Sequence, residues 1–224
     1  MSKKNLVAVL PMKANSDRVS GKNFRDLAGK PLFRWILDTL LAVKEIDAVV
    51  INTDARQILE DCGLTESERI IIRDRRHSLL GDFTSMNLIL EDDIKEIDSD
   101  SYLMTHTTNP LLGANTIRAA IKQYYENDDA DSLFSVNRLQ TRFYREDGTA
   151  VNHDPNNLVR TQDLEPWYEE NSCLYLFNKN SFSKTHARIG LRPLMFTTPP
   201  LESIDIDEPE DWFLAEALAK AISE

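Results

Sequence analysis

Short runs of β-branched and aliphatic residues alternate with longer stretches whose apolar positions recur at helical spacing, and this alternation is what most constrains the fold. It predicts an α/β domain with a mostly parallel sheet flanked by helices, because parallel neighbours need helix-sized crossovers. Strands are expected over 6–10, 48–52, 70–72, 101–105 and 133–136. A helix over 31–43 places Phe33, Ile36, Leu37, Leu40 and Leu41 on one side, with Pro31 in its first turn. Asp54 is expected to cap a helix ending before Gly63, and Asn115 one carrying Ile117, Ile121 and Tyr124; a further helix is expected over 85–97. The 224 residues suffice for one domain, 1–224, with its own core. After Asn137 the chain turns polar, with a turn at Glu146-Asp147-Gly148, so 137–171 reads as an inserted arm. Strand character returns over 173–177, and the chain closes as strand, acidic turn and helix, with Pro209 near the helix start.

A net charge of −11 argues against nucleic acid or an anionic membrane as partner. It also requires any phosphate ligand to meet a local cluster of cations. No apolar run approaches the roughly 18 to 20 residues of a membrane span, and the apolar run near the N-terminus is too short for a signal sequence, so the chain reads as cytoplasmic. Cys62 and Cys173 stand alone, outside any CxxC or Cys/His pattern, and read as buried free thiols.

Three places carry residues suited to chemistry. The loop after the first strand runs from Met12 through Lys13, Asn15, Ser16, Arg18, Gly21 and Lys22 to Asn23. Its three cations and free backbone N–H groups, at the carboxyl end of a parallel strand, suit a triphosphate; the alternative is a solvated surface loop. It is neither a Walker A loop nor GxGxxG. In Ser203-Ile204-Asp205-Ile206-Asp207 a strand would put both aspartates on one face and both isoleucines toward the core. Two such carboxylates suit Mg²⁺; the alternative is that Asp207 merely caps the last helix. The His106-Thr107-Thr108-Asn109-Pro110 turn leaves another strand end, and His106 reads as a positioning residue. Arg73, Arg75 and Arg76 read either as plain surface arginines or as a phosphate or base contact, with Arg73 taken as the contact residue.

These residues fall in a recognisable order. PMKANSDRVSGKNFRDLAGKPL, HTTNPLL and SIDIDEPEDWFLAEAL resemble the patterns PARxxSKRxPGKNxxxLxGKPL, QPTSPLR and SIDIDTPEDLxxAE of the acylneuraminate cytidylyltransferases and their relatives acting on other nonulosonic acids. The resemblance implies a Rossmann-like fold, a homodimer built through the arm, and the reaction of CTP with an acid sugar to give a CMP-sugar and pyrophosphate. It implies that Met12, Lys13, Asn15, Ser16, Arg18, Lys22, Asn23 and His106 hold the nucleotide, with Arg18, Lys22 and Asp207 catalytic and Asp205 and Asp207 on Mg²⁺. Lys13 departs from an arginine and Asp17 from a basic residue. Where the family often reads RPNG, Glu169-Glu170-Asn171-Ser172 lacks the arginine near the sugar's carboxylate. Arg142, Arg145 or Arg160 is expected to replace it, with His106 and Asn171 also on the sugar. The rival readings are a glycosyltransferase with a DxD metal motif and a non-catalytic nucleotide-binding homologue.

Overall fold

The computed structural model describes residues 4–15 and 19–223. The first half contains β1 (Leu6–Val9), β2 (Asp26–Leu27), β3 (Lys30–Pro31), α1 (Leu32–Ala42), β4 (Ala48–Thr53), α2 (Arg56–Asp61) and β5 (Ile70–Asp74). There follow α3 (Met86–Glu96), β6 (Ser101–Thr105), α4 (Ala114–Tyr125) and β7 (Ser132–Leu139). The chain ends with β8 (Trp167–Asn178), α5 (Lys179–Thr185), β9 (Pro193–Thr197) and α6 (Pro209–Ser223).

Seven strands form one sheet in the order β5-β4-β1-β6-β8-β7-β9, while β2 and β3 make a separate pair. β1 is parallel to β4 and β6, β4 to β5, and β7 to β9; β8 runs against both of its neighbours. The mostly parallel sheet expected from the sequence is therefore present. From β1 the chain steps outward to β4 and β5, then crosses back to β6 on the other side of β1. Strand order reverses between β1 and β6, and the carboxyl ends at such a reversal form the ligand crevice of open α/β sheets.

The core explains why β1 reads as an unbroken apolar run. Leu6, Ala8 and Leu10 pack with Phe33, Ile36, Leu37 and Leu40 of α1 and Ile117 of α4. Val7 and Val9 pack on the other face with Leu90 and Ile94 of α3. A strand covered by helices on both faces has no polar side to show. Each fully buried aliphatic contributes about 1.5–3 kcal/mol of transfer free energy, so the α1 stripe fixes one helix layer firmly. Among the described residues no helix is long and apolar enough to cross a membrane.

Local details differ from the sequence reading. Asp54 does not cap α2; its Oδ1 accepts a hydrogen bond from Ala14 N at 2.7 Å and so ties down the loop after β1. Asn115 lies inside α4 rather than capping it, and Glu202 instead accepts from Gly113 N at 2.7 Å. A carboxylate there complements the positive end of the helix. Pro31 precedes α1 rather than lying in its first turn. Residues 203–207 join no ladder, so the expected strand is absent, yet Ile206 is fully buried and Ile204 packs on the same cluster.

Beyond Val136 the partners of β7 are Glu169, Tyr168 and Trp167 of β8, and β9 pairs no further, so these strands leave the main sheet as a two-stranded ribbon. Residues 140–166 continue from its end, with Gly148 at φ 82° in the turn expected there. Between Glu170 and Tyr175 the register slips, and Ser172 is left at φ 58°.

Candidate functional site

The loop after β1 extends the parallel ladder for a few residues before it turns away. Leu10 N donates to Val50 O and Met12 N to Asn52 O, which buries Met12 and delivers Lys13 to the sheet's carboxyl edge. Asn23 closes the loop: its Nδ2 donates to Lys13 O at 2.8 Å, and its Oδ1 accepts from Thr107 Oγ1 at 2.6 Å. One buried amide thus links the cationic loop to the turn after β6.

The C-terminal segment docks on the same turn from the other side. Ile206 N donates to Thr108 O at 2.8 Å, and Asn109 Nδ2 donates to Ile204 O at 3.3 Å. Lys22 completes the junction. Its side chain is buried, and its Nζ donates to Ile206 O at 2.6 Å and lies 3.5 Å from Asp207 Oδ1. The early cationic loop and the late acidic pair therefore meet, although 184 residues separate Lys22 from Ile206.

Asp205 and Asp207 are both partly buried. Burial raises the pKa of Asp205, opposed by a hydrogen bond from Thr108 and by Lys22, with Asp207 adding to the rise. Asp205 Oδ1 is buried with no hydrogen-bond partner. An orphaned carboxylate oxygen beside a second carboxylate is a donor set that suits a hard, hydrated cation. No cluster of three or more His, Cys, Asp or Glu ligands occurs among the described residues, so any ion here takes its remaining ligands from water or substrate.

The cleft at this junction encloses about 370 Å³ and is lined on its cationic side by Lys13, Lys22 and Arg75. Arg75 is oriented by neutral groups: Nε donates to Asn52 Oδ1 at 2.9 Å, and Nη2 to Met12 O at 3.1 Å and Asn52 O at 2.9 Å. Burial lowers its pKa, partly offset by Asp54 and Asp93. Asn52 is itself held by Asp93 at 2.8 Å, so the buried acid of α3 fixes the guanidinium at one remove. Burial raises Asp93 to about 6 despite that bond and the nearby Arg73. Lys13 is ion-paired with Asp82 across the cleft mouth. His106 is held down to about 4, first by burial and then by the positive field of Arg188, with Lys22 adding to it and Asp207 opposing. At neutral pH it is therefore an uncharged imidazole.

Met12, Lys13, Lys22, Asn23 and His106 all line this cleft. Asn15 is exposed on the loop, and Ser16 and Arg18 lie outside the described residues. Arg73 is not a lining residue: its guanidinium is held by Asp92 at 2.9 Å and by Asp93. The sequence reading ended the third strand at Ile72, whereas β5 reaches Asp74, so the first residue past the strand end is Arg75. Asn171 also departs from the expectation. It is buried, and its amide donates to Asn137 at 2.9 Å and Thr198 at 2.6 Å, bracing the arm rather than facing the cleft. Arg142 donates to Val159 O at 2.7 Å, Arg145 closes the arm turn through its backbone, and Arg160 pairs with Asp163 at 2.7 Å; none of the three lines the cleft. Cys62 and Cys173 are free thiols, and burial pushes Cys173 up to about 12. A larger hollow of about 610 Å³ lies at the opposite pole, where Lys179 is paired with Asp98.

The cytidylyltransferase family profile matches residues 7–219. The chain belongs to the cytidylyltransferase family. Among similar sequences is the CMP-N,N′-diacetyllegionaminic acid synthase of Legionella pneumophila, 30% identical over 95% of each chain. Another is the pseudaminic acid cytidylyltransferase of Campylobacter jejuni, 24% identical over 97% of each. Among solved structures, CMP:2-keto-3-deoxy-manno-octonic acid synthetase complexed with CTP superposes with a TM-score of 0.69 over 97% of this chain and 99% of that one, at 15% identity. The 4-diphosphocytidyl-2C-methyl-D-erythritol synthase of Anaerococcus prevotii gives 0.71 over 97% of each, at 16% identity. At those identities the structural likeness establishes the fold.

Proposed function

We propose that this chain transfers the cytidylyl group of CTP to the anomeric hydroxyl of a sialic-type, nonulosonic acid sugar and releases pyrophosphate. The observation that carries this reading is the junction at Lys22, which sets a buried ammonium 3.5 Å from Asp207 in the strand-end crevice. The names of the similar enzymes from Legionella and Campylobacter supply the acceptor class.

The acceptor oxygen bonds to the α-phosphorus, and the bond from that phosphorus to its bridging oxygen breaks. Pyrophosphate leaves, and the hydroxyl proton passes to an aspartate of the pair. Such transfer depends on positioning and charge stabilisation more than on covalent help from the protein. Lys22 and Arg75 hold the phosphates, joined by Lys13 once it exchanges Asp82 for the ligand. The family resemblance adds Asn15, Ser16 and Arg18 to the residues proposed to hold the triphosphate. Asn23 fixes the loop relative to the turn that carries His106, and the neutral imidazole orients nucleotide and sugar. Asp205 and Asp207 would hold Mg²⁺, which when bound supplies positive charge against the phosphate oxygens. The orphaned Asp205 Oδ1 supports that assignment.

Leu158, Val159, Trp167 and Tyr168 are exposed on the arm, which supports a homodimer formed through it. A shift to monomer in sedimentation on W167D, with no such shift on a surface control, tests that contact. The cytoplasm, which supplies CTP, is the matching compartment. The reaction is tested by measuring pyrophosphate release for four nucleoside triphosphates against N,N′-diacetyllegionaminic, pseudaminic and N-acetylneuraminic acids with Mg²⁺. Release with CTP and at least one acid sugar is expected. CTP binding with no release from any pair would leave only a nucleotide-binding protein.

A further inference from the structure

We propose that Arg188 is the residue that binds the carboxylate of the acceptor sugar, an assignment that rests on the function proposed above. A carboxylate entering a protein of net charge −11 needs a cation that is not already committed. On the nucleotide side Lys13 pairs with Asp82, Lys22 holds Ile206 O beside Asp207, and Arg75 is fixed on Asn52 and Met12. In the arm, Arg160 is paired with Asp163, and Arg142 donates through Nη2 to Val159 O while its buried Nε has no hydrogen-bond partner; neither residue lines the cleft.

Arg188 stands differently. Its guanidinium carbon lies 3.8 Å from the centroid of the Tyr175 ring, which fixes the plane of the fork by stacking. Nη1 has the Met104 sulfur at 3.6 Å, and a thioether is a weak acceptor. Nη2 is 3.6 Å from Glu170 Oε1, longer than a charge-assisted hydrogen bond, and that oxygen already accepts from the Tyr175 hydroxyl. The side chain keeps 21% of its surface open. A planar fork with long contacts and an open edge is preorganised for a bidentate carboxylate.

Arg188 does not itself line the 370 Å³ cleft but stands next to its wall: its backbone N–H donates to Asn87 Oδ1 at 3.4 Å, beside the lining residue Met86. Met104 lies in β6, and His106 follows directly after the strand's last residue, among the residues that line the cleft. Arg188 and Lys22 both act on the His106 imidazole, so both cations lie near that ring. The register slip between Glu170 and Tyr175, with Ser172 held at φ 58°, brings Glu170 back against the Tyr175 hydroxyl. Glu170 thereby holds Arg188 loosely in place and competes with an incoming carboxylate.

The test uses whichever of the three acid sugars the wild-type enzyme turns over fastest, together with its carboxamide. Loss of a charge-assisted, two-pronged contact predicts an acid-sugar KM about 30-fold higher or more in R188M, and about 5- to 10-fold higher in R188K. KM for CTP should stay within about twofold, and the wild-type preference for acid over carboxamide should nearly vanish in R188M. E170Q should lower the acid-sugar KM. Calorimetric CTP binding confirms that each variant is folded, and R188K with E170Q carries the test if R188M does not fold. An active wild type with unchanged acid-sugar KM and unchanged acid preference in the Arg188 variants overturns the assignment alone. A wild type that releases no pyrophosphate with any acid sugar overturns the proposed function, and the assignment with it.

Discussion

Replacing Lys22 by methionine removes one positive charge and keeps most of the aliphatic stem. The structural loss is the bond to Ile206 O at 2.6 Å and the neighbouring attraction to Asp207 at 3.5 Å. Losing a buried hydrogen bond to a carbonyl costs about 1–3 kcal/mol. The second contact adds little, because the Asp207 side chain is 44% exposed and solvent screens the pair. A chain of this size should therefore melt about 2–10 °C lower, and still fold. The functional loss is larger. A unit charge about 4 Å from a phosphate oxygen is worth about 4 kcal/mol at the effective dielectric of a partly buried site. Allowing for the remaining cations Lys13 and Arg75, about 2–4 kcal/mol of that is missing in the variant, or roughly a 30- to 1,000-fold fall in kcat/KM for CTP. Pyrophosphate release under saturating acid sugar reads the rate, and a thermal melt on the same sample reads the fold. A folded K22M with kcat/KM for CTP within twofold of wild type would refute the role given to this ammonium.

Other consequences are as direct. D207A should lose at least about 100-fold in turnover at any Mg²⁺ concentration while melting within a few degrees of wild type, because the side chain is half exposed and the missing function is charge stabilisation; near-normal turnover would remove the metal assignment. His106 should remain neutral in histidine NMR titrations until about pH 4, held there by burial and by Arg188 and Lys22 against Asp207. Its folded pKa lies below the unfolded value near 6.5, so the unfolded chain takes the proton first and stability is lost as pH falls from about 6.5 to 4. The limit is about 3 kcal/mol, trimmed because the residue is only partly buried. Asp93, raised to about 6, acts with opposite sign, its contribution fading as pH rises through that value. The two oppose each other between pH 4 and 6, so H106N should show stability declining with rising pH across that window; an imidazole titrating near 6.5 would contradict this.

What was legible in the sequence was whatever depends on near neighbours. The continuous apolar run of β1 and the periodic stripe of α1 give buried strand and covering helix, because both follow from which side of one element meets the core. The alternation of Ile204, Asp205, Ile206 and Asp207 also predicted which side chains face inward, although no strand forms: the segment is held by Thr108, Asn109 and Lys22 instead of by a ladder. Capping was misread wherever a distant partner won. Glu202 takes the opening of α4, and Asp54 is used by the loop at Ala14, neither of which local propensity reveals. The choice of Arg73 over Arg75 failed by two residues of strand length. Arg188 gave no signal at all, since its surroundings come from β6 and β8, both far away along the chain.

At the carboxyl ends of β1 and β6 the cations that line the cleft meet the carboxylates proposed to hold the metal, through Lys22 and Asp207. Anomalous diffraction at the manganese edge, from crystals grown with Mn²⁺ and CTP, tests this arrangement most directly. One manganese peak between the carboxylates of Asp205 and Asp207, with the triphosphate lying against Lys22 and Arg75, is the expected result. Manganese bound away from that pair, or CTP seated in the hollow beside Lys179 and Asp98, would contradict it.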